Sequence, residues 1–368
     1  MIYLDSAATS LLKPLAVEQA MLRALRSMAS PGRGSHAPAM LAAETVLDCR
    51  EAAAELFHVP DPERVVFTSN ATHALNIAIH SLVRPGAAVV ISGFEHNAVT
   101  RPLYALGAKL RVAGRRLFDR EALLADFARM LPGAEAAVCT QVSNVFGFAL
   151  PIERISELCK QYDVPLIVDA SQAAGILEVD MAGWDAAFVA MPGHKGLLGP
   201  QGTGLLLCGR SGEPLLYGGS GSESRLQRMP EDLPDRLEAG THNVCGIAGL
   251  LAGIRYVRER GTESILAHER ELLETLRTEL DGSGLELFTG PGQVGVLSLR
   301  FPRLDSESAA GRLAERGICV RAGLHCAPLA HESAGTLETG TVRLSFSPFL
   351  GEGQIRQSAR VLRQLAEM

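Results

Sequence analysis

The 368-residue sequence predicts an α/β protein, with a large domain on a mostly parallel seven-stranded sheet and a smaller α+β domain at the C-terminal end. Three observations predict this. Short apolar runs rich in β-branched residues alternate with helical stretches, the pattern of βα units whose parallel sheet is covered on both faces. The texture changes after Gly240, where Ala/Gly/Leu-rich and then charged helical stretches replace the alternation. The length also exceeds what one compact core serves well, so two lobes are expected.

The seven runs lie at 64–68, 88–92, 109–112, 136–141, 165–169, 186–190 and 204–208. Between the first two, Ala74, Leu75, Ala78, Ile79 and Leu82 repeat at helical spacing, predicting a helix over 72–83 that stops at the Arg84-Pro85-Gly86 turn signal. Ile155, Leu158 and Cys159 predict another over 152–162. Farther on, helices are expected at 244–258 and 268–280, strands at 295–300 and 341–346, and a last helix from Glu352. The resulting division is an N-terminal segment 1–15 packing near the small domain, a large domain 16–250 and a small domain 251–368. The Gly/Ser-rich stretch 217–224 cannot contribute to a core and reads as a loop, either a lid or a plain connector.

Bulk properties narrow the function. The formal charge of -6 and the absence of a Lys/Arg block argue against nucleic acid as a partner. The apolar runs are far shorter than the roughly 20 residues a membrane helix needs, and the N-terminus lacks the pattern of a secretion signal. Seven scattered cysteines without a C-x-x-C pair make a disulfide framework unexpected and fit a cytoplasmic protein. His325 and His331 near Cys326 match no standard metal-ligand spacing, so no metal is expected.

Chemistry concentrates in a few segments. Met191-Pro192-Gly193-His194-Lys195-Gly196 places a lysine after an apolar strand and among glycines that permit close approach of backbone or ligand. A lysine in such a place suits an amine that must lose its proton and condense with an aldehyde. Val168-Asp169-Ala170-Ser171-Gln172 puts an acid and an amide at the end of a buried strand, where open α/β sheets bind ligands. Asp169 could merely cap the next helix, or it could pair with a pyridinium nitrogen. Thr68-Ser69-Asn70-Ala71-Thr72 precedes a helix, where free N–H groups favour a phosphate. Arg343 ends a strand, and its planar fork suits a carboxylate.

Together these segments resemble the class V branch of the fold-type I pyridoxal-phosphate (PLP) enzymes, above all the cysteine desulfurases, along nearly the whole chain. The resemblance implies that Lys195 holds the cofactor, Asp169 pairs with its ring nitrogen, Gln172 bonds its phenolic oxygen, and His194, Ala71 and Thr72 contact its phosphate. Phe94-Glu95-His96-Asn97 is similar to an element whose histidine, here His96, stacks on the ring and assists proton transfer. Ser143-Asn144-Val145-Phe146-Gly147 resembles an element whose asparagine, Asn144, reaches the phenolate and the substrate carboxylate. Glu238-Ala239-Gly240-Thr241 resembles a stretch that reaches the neighbouring subunit's phosphate through Thr241, which implies a homodimer. Arg321-Ala322-Gly323-Leu324-His325-Cys326-Ala327 looks like the R-x-G-H-H-C-A element of the group II desulfurases. By it Cys326 is the nucleophile that takes sulfur from L-cysteine, and Arg343 anchors the substrate carboxylate.

Because the thiolate is the reactive form, Arg321 and His325 are candidates to stabilise it. Two positions depart from the family pattern. Pro192 stands where a serine often gives its hydroxyl to the phosphate, and Leu324 replaces the first histidine of the H-H-C pair. The implied reaction yields L-alanine and a persulfide for a sulfur acceptor protein or thiol. Alternatives on the same residues are a selenocysteine lyase acting on L-selenocysteine, a class V transaminase or lyase in which Cys326 is incidental, and a catalytically idle sulfur-carrier module.

Overall fold

The computed structural model describes residues 1–32 and 34–367. Its centre is a seven-stranded sheet in the order Val65–Thr68, Gly204–Cys208, Phe188–Pro192, Leu166–Asp169, Ala136–Thr140, Ala88–Ser92 and Lys109–Ala113. Gly204–Cys208 runs antiparallel to both neighbours, and the remaining pairs are parallel. Successive side chains on a strand point to opposite faces, and the two faces are buried in two different cores. Val168, Val189 and Leu205 lie in one, while Ile167, Phe188 and Leu206 lie in the other. Burial on both faces explains why these strands read as continuous apolar runs in the sequence.

The second lobe packs the antiparallel sheet Arg321–Gly323, Thr341–Ser345, Val296–Arg300, Glu286–Phe288 against helices Thr262–Glu279, Ser306–Glu315 and Glu352–Glu367. Ile2 and Leu4 are buried in the same core, and Ile2–Tyr3 pairs in parallel with Ile318–Cys319. The chain therefore begins in the lobe where it ends, and residues 5–10 carry it across to the large one.

Two features differ from expectation. A single helix, Val244–Arg260, runs through the boundary expected near residue 250 and packs on the large-lobe helices Leu15–Ser27 and Ala37–Leu56. Its glycines serve close contact: a Cβ on Gly253 would lie 2.3 Å from the Leu197 carbonyl, and one on Gly249 2.7 Å from Met21. The helix ends at Gly261, whose φ of 80° favours glycine, and the next helix begins at Thr262 rather than near His268. Among the described residues, no helix is long and apolar enough to cross a membrane.

Candidate active site

The C-terminal ends of the parallel strands open into a cleft of about 110 Å³ lined by Asn70, Ala71, Thr72, His96, Asn144, Asp169, Gln172, Pro192, His194 and Lys195, among others. Each wall follows from local structure. Asp169 is the last residue of its strand and is 3% exposed, and its Oδ1 accepts the Ser171 N–H at 2.9 Å. Ala71 and Thr72 open the helix Ala71–Leu82, which is capped by Asn70 through its Oδ1 and the His73 N–H at 2.9 Å. The first N–H groups of such a helix, at a cleft wall, make a ready anion site.

Lys195 follows the strand Phe188–Pro192, and burial lowers its proton affinity to about 8. Asp169 pulls that value up, while Arg343 and Arg321 push it down. The glycines around it make room for protein rather than ligand. A Cβ on Gly196 would stand 2.4 Å from the Ala174 carbonyl, and one on Gly193 2.2 Å from Thr203 Oγ1.

His96 caps the helix Asn97–Ala105, its Nδ1 accepting the Ala98 N–H at 3.0 Å. That bond leaves the ring proton on Nε2. Burial holds the imidazole at about 4, so it is neutral near pH 7. His194 is also held at about 4, chiefly by burial and then by Lys195, and its Nδ1 lies 3.0 Å from Thr9 Oγ1.

Cys326 is exposed, on a turn after the short strand Arg321–Gly323. His325 and Cys326 have φ of 49° and 57°, a left-handed pair that is strained for residues with a Cβ. The turn is tied to the cleft by its backbone. Asn144 Nδ2 donates to the His325 carbonyl at 2.8 Å, and the Asn97 N–H donates to the Cys326 carbonyl at 2.7 Å. Arg321 Nη2 stands 3.8 Å from the sulfur. His325 itself points the other way. Thr341 donates to Ser298 and Ser298 to the Val145 carbonyl, which leaves Thr341 Oγ1 to accept from His325 Nε2 at 3.1 Å. Burial then holds that ring far below its ordinary value, so it offers the sulfur no cation, against the sequence expectation. Arg321 supplies that charge alone of the two.

Arg343 is 1% exposed on the strand Thr341–Ser345. Its Nη1 donates to the Asn144 carbonyl at 3.0 Å and its Nη2 to Asp5 Oδ1 at 2.6 Å, while the buried Nε–H has no acceptor. A buried guanidinium N–H without a partner is costly.

The class-V aminotransferase family model matches residues 2–357. A probable cysteine desulfurase of Methanothermobacter thermautotrophicus is 33% identical over 386 residues, covering 100% of this chain and 95% of the relative. The chain belongs to the cysteine desulfurase family. Other members agree. The apo structure of the Thermococcus onnurineus cysteine desulfurase superposes with a TM-score of 0.90 at 30% identity, over 100% of this chain and 94% of that one. The Escherichia coli cysteine desulfurase CsdA, in an S-sulfonic acid form, gives 0.85 at 27% identity, over 99% and 94%. The protein is therefore an enzyme of the cysteine desulfurase type on an α/β, mostly parallel fold.

Within this desulfurase the cleft gathers Lys195, Asp169, Gln172, His194, His96, Asn144, Ala71 and Thr72. Thr241 lies elsewhere, exposed in a separate groove with Ser69, His73 and His242. Its segment is anchored from below by Glu238, which pairs with Arg50 at 2.8 Å, accepts the Phe67 N–H at 2.5 Å and stands 3.1 Å from His242. The 217–224 stretch runs beside that segment, the Gly240 N–H donating to the Gly219 carbonyl at 2.8 Å.

Sequence reasoning missed the strap 5–10. Besides Asp5 on Arg343, the Ala7 carbonyl accepts from Gln172 Nε2 at 2.9 Å, and the His194 carbonyl accepts from the Ser10 N–H at 2.9 Å and Thr9 Oγ1 at 3.2 Å. The only signal was a run of small residues, Asp5-Ser6-Ala7-Ala8-Thr9-Ser10, between a short strand and a helix.

Proposed function

We propose that the enzyme converts L-cysteine to L-alanine with PLP as cofactor and leaves the sulfur as a persulfide on Cys326. The observation that carries this is an exposed cysteine, beside an arginine, on a turn hydrogen-bonded to a cleft that holds a buried lysine and a strand-end aspartate. The donor set fits PLP. An amine suits the aldehyde, a carboxylate suits the ring nitrogen, Gln172 suits the phenolic oxygen, and the Ala71–Leu82 N-terminus with His194 suits the phosphate. Thr241 completes the phosphate site of a partner subunit in a homodimer. Pro192 gives no hydroxyl, so that contact falls to the helix N–H groups and the partner.

When bound, PLP supplies an aromatic system that stores the electron pair left by loss of the α-proton. Arg343 and Asn144 receive the substrate carboxylate, the guanidinium held in place by the Asn144 carbonyl and Asp5. Lys195 Nζ takes the α-proton, for which its lowered affinity suits it near neutral pH. His96, neutral with its proton on Nε2, lines the same cleft and assists that transfer. Cys326, as thiolate beside Arg321, attacks the substrate sulfur. An S–S bond forms as the C–S bond breaks, and the bonding pair passes to the carbon that becomes the methyl group of alanine. The persulfide goes on to an acceptor protein or thiol. Seven unpaired cysteines among the described residues accord with a cytoplasmic, reducing setting.

The decisive experiment incubates wild type and Cys326→Ala with L-cysteine and L-selenocysteine and quantifies alanine and persulfide. Loss of the persulfide and a fall of roughly 10²-fold or more in alanine from cysteine are expected, the range of a missing nucleophile or base. Unchanged cysteine turnover in Cys326→Ala would remove the cysteine from the mechanism, and retained turnover of selenocysteine alone would point to a lyase.

A further inference from the structure

The strap 5–10 leaves one charged side chain in contact with the site, and that side chain is itself a carboxylate. Asp5 is held from three sides. Tyr3 OH donates to its carbonyl at 3.2 Å, the Ser345 N–H donates to the adjacent Leu4 carbonyl at 2.9 Å, and the Ala7 N–H donates to Ser345 Oγ at 2.8 Å. Residue 5 thus bridges to residue 345, two positions along the strand from Arg343. From there its Oδ1 meets Arg343 Nη2 at 2.6 Å, with the guanidinium 1% and the carboxylate 19% exposed.

That contact has two consequences that can be separated. As a hydrogen-bond acceptor, Asp5 fixes Nη2 while the Asn144 carbonyl fixes Nη1, so the guanidinium plane is held in one orientation. As a charge, it already balances the cation that a substrate carboxylate would meet. Two carboxylates sharing one guanidinium repel each other, which loosens the grip on the newcomer. Substrate and product of the proposed reaction carry the same carboxylate, so a grip tuned only for capture would retain the product.

Resting on the reading of Arg343 as the carboxylate anchor, we propose that Asp5 is a positioning residue for substrate recognition, tethering Arg343 for the α-carboxylate of an amino acid and moderating its charge so that the product leaves. The tether sets orientation and the charge sets affinity.

The test uses the holoenzyme and equilibrium titrations followed by the visible cofactor band, with L-alanine as the probe bearing a carboxylate and ethylamine as the probe lacking one. Asp5→Asn keeps an acceptor and removes the charge, and it should tighten L-alanine binding by about three- to tenfold, a step of about 1 kcal/mol at a hydrogen-bonded charge. Asp5→Ala removes both, and it should bind L-alanine about tenfold more weakly than Asp5→Asn, with ethylamine unchanged in either. In steady state, Asp5→Asn should lower KM for L-cysteine together with kcat, as release of alanine slows. Equal changes for both probes would assign Asp5 a purely structural role, and no change for L-alanine in either variant would also overturn the proposal. Arg343→Ala separates the two layers. If it leaves L-alanine binding intact, the anchor reading itself fails, whereas if it alone weakens binding, only the role of Asp5 falls. Thermal melts of all three variants identify any that do not fold.

Discussion

Lys195 lines the cleft while Cys326 stands on a turn tied to it through Asn144, and the two come from opposite kinds of structure. Asp169 ends one strand and Lys195 follows another, both strands having side chains that fill two cores, and their positions are inherited from the sheet. The cysteine sits in solvent on a left-handed turn of the small lobe, held by two backbone hydrogen bonds. Group tuning through burial belongs to the first setting, where desolvation lowers the lysine. Access for an outside acceptor belongs to the second.

The sharpest way to break this contrast is to remove each group in turn. Lys195→Ala should lower alanine formation by about 10³-fold or more and abolish the visible cofactor band. Cys326→Ala should keep the band and unfold within about 0.5 kcal/mol of wild type, as an exposed site allows. Loss of the band in Cys326→Ala would show that the turn supports the cofactor site after all.

Next in size is the anchor under the Thr241 segment. Glu238→Ala strands the buried Arg50 guanidinium and the Phe67 N–H, and it should destabilise the protein by about 3–5 kcal/mol in denaturant titration. A loss under about 1 kcal/mol would mean that water replaces the carboxylate and that the segment is not rigidly held.

The smallest effect concerns Glu269, buried against Gly295 in a small chamber shared with Lys195 and Ser345. Burial raises its carboxyl to about 8 from the usual 4.5. The folded state therefore binds a proton that the unfolded chain gives up, so this group's contribution is full below pH 4.5 and is lost as pH rises through 8. Glu269→Gln should flatten that fall, raising the stability of folding relative to wild type at pH 9 more than at pH 6, by up to a few kcal/mol, on the order of what the raised value implies. An equal change at both pH values would place an ionised carboxylate there.

How much of this was legible in the sequence follows the same division. Strands buried on both faces announce themselves as apolar runs, so Asp169 and Lys195 could be placed at strand ends directly. Cys326 emerged only through the resemblance of its segment, because a cysteine between histidine and alanine carries no periodicity. The helices Leu15–Ser27 and Ala37–Leu56 were not anticipated. The first opens after Pro14 without a side-chain cap, and the second is alanine-rich with little contrast between its faces. Nor could Asp5 be paired with Arg343, 338 residues away, since no local pattern encodes a contact made by a strap crossing between lobes.

The two bonded carbonyls of the cysteine turn bear on how sulfur leaves the protein. With the oxygens of residues 325 and 326 pinned to Asn144 and Asn97, the motion open to the sulfur without unfastening the turn is a change of side-chain torsion. Such a hop between staggered positions carries the atom about 3 Å. Cargo handed over on so short an arm must be collected at the doorstep, so the recipient has to present its own thiol within bonding reach of the rim.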